Sequence, residues 1–266
     1  MNALHAKSEA LRSALSNMGH VVVAFSGGTD SALLLDVARE TLGERAIAIT
    51  ACIHSLPAAE LAGARAFCAE RGIRHIVVEQ DELAIPGFAD NTADRCYICK
   101  KTLFSRMLEI AAAEGCAVLA DGSNVDDEGD YRPGMRALTE LGIRSPLREA
   151  GLAKADIRAL SRERGLATWD KPSAACLSSR IPYGETITAE KLARIEAAED
   201  YLHTLGFSQL RVRSHGTLAR IELPVGDIER GASLARAIAA RLRELGFAYA
   251  TLDLEGFRSG SMNEIL

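Results

Sequence analysis

The chain has 266 residues, 48% hydrophobic and 25% charged, with a net charge of −5. That length supplies one large domain or two smaller ones with cores of their own. No apolar run of about 18 residues occurs, so a membrane span is not expected. No Lys/Arg cluster stands out, which argues against a large nucleic-acid footprint.

The opening MNALHAKSEALRSALSNMGH carries an acidic residue, Glu9, and no apolar signal core. It reads as an amphipathic helix with Leu4, Leu11 and Leu15 on one face, and the cytoplasm is the expected compartment. Residues 21–25 form a continuous apolar run, suited to a strand buried on both faces. Helical spacing follows over 30–42, with Gly43 as the stop. Residues 46–53 read as a second strand and 57–71 as a helix opened by proline and closed by Gly72. A third strand is predicted over 73–78, a polar loop over 79–95, a helix over 99–114 and a fourth strand over 117–120. Strands separated by helices predict a parallel, doubly wound α/β sheet with helices on both faces.

The pattern changes near residue 185. A helix over 188–205 precedes two short strands, 209–213 and 219–223, then a helix over 227–245 and a strand over 247–252. This predicts a smaller α+β domain, so the expected division is 1–184 and 185–266. The intervening 171–184 is aperiodic.

Between the first strand and its helix lies SGGTDS, residues 26–31. Glycines permit a tight turn and close approach of backbone to ligand. Amides at the turn and helix start, with the helix dipole, favour an anion. Ser26 and Ser31 add hydroxyls. Asp30 would repel phosphate, and makes sense if it holds a divalent cation bridging phosphates. The stretch has neither the Walker A lysine nor G-x-G-x-x-G. The plain alternative is a strand–turn–helix connection with glycine at the bend.

SGGTDS resembles the pyrophosphate loop of the PP-loop ATP pyrophosphatases, which cleave ATP to AMP and pyrophosphate and usually adenylylate a carbonyl oxygen. The resemblance implies that Ser26, Gly27, Gly28, Thr29 and Ser31 bind the phosphates of ATP and that Asp30 holds Mg²⁺. It also implies that adenine meets the backbone near Ile49–Ala51, with Thr50 beside it. DRCYICKKTLF (94–104), LADGSNVDD (119–127), KPSAACLSSRIPYGE (171–185) and RVRSHGTLARIE (211–222) narrow this to a resemblance to the LarE family, over nearly the whole chain. Those are ATP-dependent sulfur transferases that build the nickel-pincer nucleotide of lactate racemase. The resemblance implies a pyridinium dicarboxylic acid mononucleotide as substrate. One ring carboxylate is adenylylated, and a protein sulfur then displaces AMP to leave a thiocarboxylate.

The implied sulfur residue is Cys176. In one version within the family a lone cysteine gives up its sulfur and becomes dehydroalanine. In the other, three cysteines hold a [4Fe–4S] cluster carrying an extra sulfide. Cys96, Cys99 and Cys176 match the second: three thiolates leave one iron open, whereas zinc normally wants four ligands. A redox pair or two buried thiols is the alternative for Cys96 and Cys99. Cys52, Cys68 and Cys116 fall in apolar patterns and read as core residues.

Tyr97 suits stacking on a pyridinium ring, with plain packing as its alternative, and Lys100 or Lys101 suits anion neutralisation or an exposed face. Asn124 and Asp127 lie at a strand end where they line a nucleotide site or make an ordinary turn. Arg211 and Arg213, two apart on a strand, share a face and suit a phosphomonoester, with Glu199 and Glu222 as orienting carboxylates; a solvated strand face is the alternative. Ser179 and Arg180 shape the surroundings of Cys176. The resemblance also implies a homo-oligomer, a hexamer, and a sulfide donor protein. The competing enzyme is a PP-loop tRNA thiolase, but residues 185–266 carry 10 Lys and Arg against 12 Asp and Glu, a poor RNA clamp. An amide-forming synthetase leaves the three cysteines unexplained. A non-catalytic nucleotide or iron–sulfur carrier is the reading from another class.

Overall fold

The computed structural model describes residues 3–129, 133–172, 176–258 and 262. Part of the KPSAACLSSR stretch, residues 173–175, lies outside them. The chain groups into two compact units: Met1–Gln80 with Cys96–Ala174, and Asp81–Arg95 with Ala175–Leu266. Residues 81–95 and 175–184 therefore associate with the C-terminal unit.

In the first unit, α1 (Ala3–Met18) precedes β1 (Val21–Ala24), α2 (Thr29–Leu42), β2 (Ala46–Cys52), α3 (Ala58–Glu70), β3 (Arg74–Glu79), α4 (Arg95–Ala113), β4 (Leu119–Ala120), α5 (Pro133–Glu140), α6 (Pro146–Glu149) and α7 (Lys154–Glu163). The four strands form a parallel sheet of order β3-β2-β1-β4. Strand periodicity sends alternate side chains to opposite faces. Val21, Val23, Ala46 and Ala48 join one core with Leu33, Leu34 and Leu35 of α2. Val22, Ile47 and Ile49 join another with Met107 and Ala111 of α4 and Leu138 of α5. Covering both faces makes every residue of β1 apolar. Each fully buried leucine of α2 contributes about 1.5–3 kcal/mol. The fold is the doubly wound α/β arrangement that the alternating pattern predicts.

In the second unit, α8 (Ala189–Thr204) precedes β5 (Arg211–His215), β6 (Leu218–Glu222), α9 (Ile228–Ser233), α10 (Ala235–Glu244) and β7 (Tyr249–Leu252). Thr188 caps α8 by accepting the Lys191 amide, a bond worth about 1 kcal/mol. β5 and β6 form a hairpin across Gly216 and Thr217, with Gly216 at φ +57°, where glycine carries no Cβ penalty. β7 adds parallel to β6. Val212, Ala219 and Ile221 face a core closed by Leu202, Ile238 and Leu242.

Three elements differ from expectation. The helix predicted over 99–114 begins at Arg95, so Cys96 sits in its first turn and Cys99 opens its second. The helix predicted over 227–245 divides at Leu234. Residues 133–163, to which periodicity assigns nothing, hold α5, α6 and α7. Among the described residues, no helix is long and apolar enough to cross a membrane.

Candidate active site

With order β3-β2-β1-β4, the chain winds to one side of β1 and then returns to its other side. The switch point therefore lies beyond the carboxyl ends of β1 and β4, where open α/β sheets bind ligands. SGGTDS follows β1 and residues 121–127 follow β4. A Cβ on Gly122 would lie 2.9 Å from the Ser31 amide nitrogen, so only glycine lets the second segment press against the start of α2.

The loop is tightly built. Gly27 has φ +74°, and a Cβ there would lie 3.2 Å from the Glu60 carbonyl oxygen. Gly28 caps α2 with no side-chain acceptor, which leaves the opening amides of the helix without intrahelical partners. Internal loop bonds are long: the Ser26 amide donates to Ser31 Oγ at 3.3 Å, the Gly28 amide to Ser26 Oγ at 3.4 Å, and Ser31 Oγ donates to the Gly28 carbonyl at 3.3 Å. Bonds of that length are weak, so the same donors can turn to an anion at small cost. Thr29 is buried, and its hydroxyl donates to the Thr168 carbonyl at 2.8 Å.

Asp30 lies in the first turn of α2. Lys154 Nζ donates to both its carboxylate oxygens, at 2.8 and 2.7 Å. Burial pushes the Asp30 carboxyl above its ordinary range; the Lys154 ammonium pulls it back and the Asp127 charge adds to the rise. Lys171 Nζ donates to the Gly27 carbonyl at 3.0 Å and to Glu60 Oε2 at 2.7 Å. Asn124 and Asp127 are tied into the turn after β4: Asp127 Oδ2 accepts from the Asn124 amide and Asn124 Oδ1 from the Asp126 amide, both at 2.9 Å. Buried Asp121 accepts from Ser123 Oγ, and from Ser145 Oγ at 2.7 Å. The Thr50 hydroxyl donates to the Phe25 carbonyl at 2.6 Å and meets His75 Nε2 at 2.8 Å. A hydroxyl has one proton, so His75 must be the donor in the second bond.

At the start of α4, Cys99 is buried and Cys96 half-buried. The i,i+3 spacing puts both on one helix face. The Tyr97 hydroxyl donates to Glu140 at 2.8 Å, and the Arg136 guanidinium lies 3.8 Å from the ring centroid. Its ring therefore already carries a cation. Lys101 pairs with Glu140 at 2.7 Å, and the stem of Lys100 lies against Gly134. Burial pushes the Cys68 thiol up to about 12, and Cys116 donates to the Val118 carbonyl. Both are buried thiols; Cys52 is half-buried.

The second unit concentrates charge on the non-core face of its hairpin. Arg213 makes two bonds to Glu222, at 3.0 and 2.8 Å, and Glu222 is 0% exposed. Arg180 likewise grips Glu199, at 2.9 and 3.0 Å. Glu199 thus pairs with Arg180, and its Oε1 also accepts the Val212 amide. Arg211 donates to the Leu210 carbonyl and lies 5.1 Å from the Phe257 ring centroid. Burial, reinforced by the Arg180 and Arg213 charges, pushes Arg211 down to about 10. Three guanidiniums and two carboxylates thus meet in a water-poor place. Such clusters are strong anion sites. Ser179 supplies its carbonyl to Arg213 and its hydroxyl to Arg180, each at 3.0 Å. Cys176 is exposed.

No protein-family model matches the chain. The pyridinium-3,5-bisthiocarboxylic acid mononucleotide synthase of Lactiplantibacillus plantarum is 42% identical across 100% of this chain and 97% of its own length. The chain belongs to the LarE family. An uncharacterised protein of Synechocystis is 45% identical across 99% of both chains. A tRNA-specific 2-thiouridylase of Azorhizobium caulinodans is 31% identical over 70% of this chain and 57% of its own. The parallel sheet of the first unit is thus a PP-loop fold, and the LarE family is a family of enzymes within it.

The loop's cationic partners, Lys154 and Lys171, were not predicted from the sequence. Lys154 lies 124 positions beyond Asp30, at the start of a helix with no periodic signal. Lys171 opens the KPSAACLSSR stretch, and that is the one trace of it in the sequence.

Proposed function

We propose that the protein is an ATP-dependent sulfur transferase of the nickel-pincer pathway. It adenylylates a carboxylate of a pyridinium dicarboxylate mononucleotide and replaces AMP with sulfur to form a thiocarboxylate. The observation that carries this is the buried Arg180–Arg211–Arg213 cluster, counterweighted by Glu199 and Glu222. It suits one small phosphomonoester, whereas an RNA backbone calls for an extended basic surface.

In this reading the amides and hydroxyls at Ser26, Gly27, Gly28, Thr29 and Ser31 hold pyrophosphate, with Thr50, Asn124 and Asp127 shaping the nucleotide's surroundings. Asp30 fits magnesium, because a single carboxylate plus phosphate oxygens is an ordinary magnesium set; when bound, the ion offsets charge on the phosphates. Arg211 and Arg213 take the substrate phosphate, with Ser179 and Arg180 beside Cys176, and Tyr97 stays a candidate for the pyridinium ring. Cys96, Cys99 and Cys176 would hold a [4Fe–4S] cluster through three thiolates, and when bound it would supply a transferable sulfide. The alternative source is Cys176 itself. Its thiolate attacks the acyl adenylate, AMP leaves, and loss of the Cα proton cleaves the Cβ–S bond to give dehydroalanine and the thiocarboxylate. The domain roles follow the same division, ATP in the first unit and substrate in the second. The active form is proposed to be a cytoplasmic homo-oligomer, a hexamer, served by a sulfide donor protein.

The test is AMP and pyrophosphate release against candidate acceptors. A nicotinate-derived dicarboxylate mononucleotide should stimulate release and tRNA should not; the reverse result makes this a tRNA thiolase, and release with neither makes it a carrier. Anaerobic purification decides the sulfur source. Iron of about four per chain supports the cluster, whereas loss of H₂S mass from the chain after turnover supports sacrifice. Cys176→Ala should keep adenylylation and lose thiolation, and persistent thiolation removes Cys176 from the reaction.

A further inference from the structure

We propose that Lys154 is a placeholder cation: it neutralises Asp30 until magnesium arrives with the nucleotide, and then passes to the phosphates. The proposal rests on the reading of SGGTDS as the ATP loop.

Lys154 Nζ sits 2.7 and 2.8 Å from the two Asp30 oxygens, the atoms that would meet a divalent ion. An ammonium and a magnesium ion cannot share that oxygen pair, because like charges at a few Å repel strongly in a partly buried site. One must leave when the other enters. The Lys154 backbone is fixed: it is the first residue of α7, and its amide donates to Asp126 Oδ2 at 2.8 Å. The preceding Ala153 amide donates to Asp156 Oδ2 at 3.1 Å. The side chain is not fixed in the same way. It stays about a third exposed, at 32%, and a four-carbon stem lets the ammonium move several Å about a stationary Cα. The charges of Asp127 and Arg158 also act on Asp30.

The loop itself supplies no lysine. A Walker A loop carries one within its own motif to reach the phosphates. Here the ammonium comes from a helix 124 positions away, and it is parked on the carboxylate that phosphate charge would otherwise meet. Two consequences follow. Free divalent ions bind poorly because the ammonium competes with them. Metal and nucleotide bind well together because the released ammonium gains phosphate oxygens as partners.

Manganese binding by the full chain, followed by electron paramagnetic resonance with and without α,β-methylene-ATP, tests this without turnover. Relative to the wild type, Lys154→Gln should bind free Mn²⁺ about tenfold more tightly and the Mn²⁺–analogue pair about tenfold more weakly, within the usual range of site coupling. A merely structural lysine would weaken both when removed. Weakening of both, or no change in either, overturns the proposal. Lys154→Arg keeps the charge and offers Asp30 a two-pronged partner, so it should bind free Mn²⁺ more weakly than the wild type; tighter or equal binding counts against the idea even if the glutamine variant fails to fold. Failure of the wild type to bind the analogue at all overturns the ATP reading instead, while the free-metal comparison still decides whether Lys154 competes at Asp30.

Discussion

The anion sites proposed for the two units are built by opposite means. The loop after β1 uses backbone amides and small hydroxyls, and its charged groups come as pairs, Asp30 with Lys154 and Glu60 with Lys171. The hairpin of the second unit uses guanidiniums, with Arg211 and Arg213 on one strand face and Glu222 directly opposite Arg211 in register. Backbone donors can be arrayed densely only where glycine lets the chain approach, so the first design depends on Gly27 and Gly122. Guanidiniums carry their own charge and geometry, so the second depends on carboxylates that hold them in place. The first design suits a polyphosphate whose charge is shared with a metal; the second suits one phosphomonoester held without metal.

The sharpest break between the sites comes from Asp30→Ala. It should lower AMP formation by about a thousandfold or more with any acceptor, as loss of a transition-state charge partner does, while mononucleotide binding by calorimetry stays unchanged. Loss of both would merge the two sites into one. Arg213→Ala addresses the other side. It takes a two-bond partner from buried Glu222, which Arg220 also meets at 3.1 Å, and should cost about 3 kcal/mol in denaturant unfolding. The milder Arg213→Lys should raise KM for the mononucleotide and leave KM for ATP alone, since a lysine cannot reproduce the fork. Gly27→Ala combines a left-handed φ with a close carbonyl, and should cost about 1–2 kcal/mol and weaken ATP before mononucleotide.

The smallest effect concerns pH. Each unit holds a half-buried histidine, His75 and His215, and both are pushed below their ordinary value of 6.5, by burial first and by a nearby arginine second. A depressed base binds fewer protons folded than unfolded, so its contribution to stability is present above 6.5 and is lost as the pH falls below it. Melting temperature should therefore drop between pH 7 and pH 5, and His75→Gln with His215→Gln should flatten that slope. An unchanged slope would mean that other groups govern the acid limb.

Much of the first site was legible because it is local. An apolar run, two glycines, an acid and a helix within a dozen residues define the loop, since strand, turn and helix each impose their own residue types. The same-face arginines were legible for the same reason, period two along a strand. Other features were not local. Asp127 and Asn124 lie at the right strand end, yet their side chains are engaged in the turn itself. Glu199 holds Arg180, and Tyr97 meets Arg136 and Glu140, choices that depend on helix docking.

The sequence by itself determined the alternation of strands and helices, the position of the glycine-rich bend and the pairing of Arg211 with Arg213 on one face. Each follows from backbone geometry over a few residues. Only the tertiary structure decided that Lys154 and Lys171 serve the loop, that Gly122 must lack a side chain and that residues 81–95 group with the C-terminal unit. Those contacts join positions far apart in the chain, and burial and charge can select them only once the sheet has brought its strand ends together.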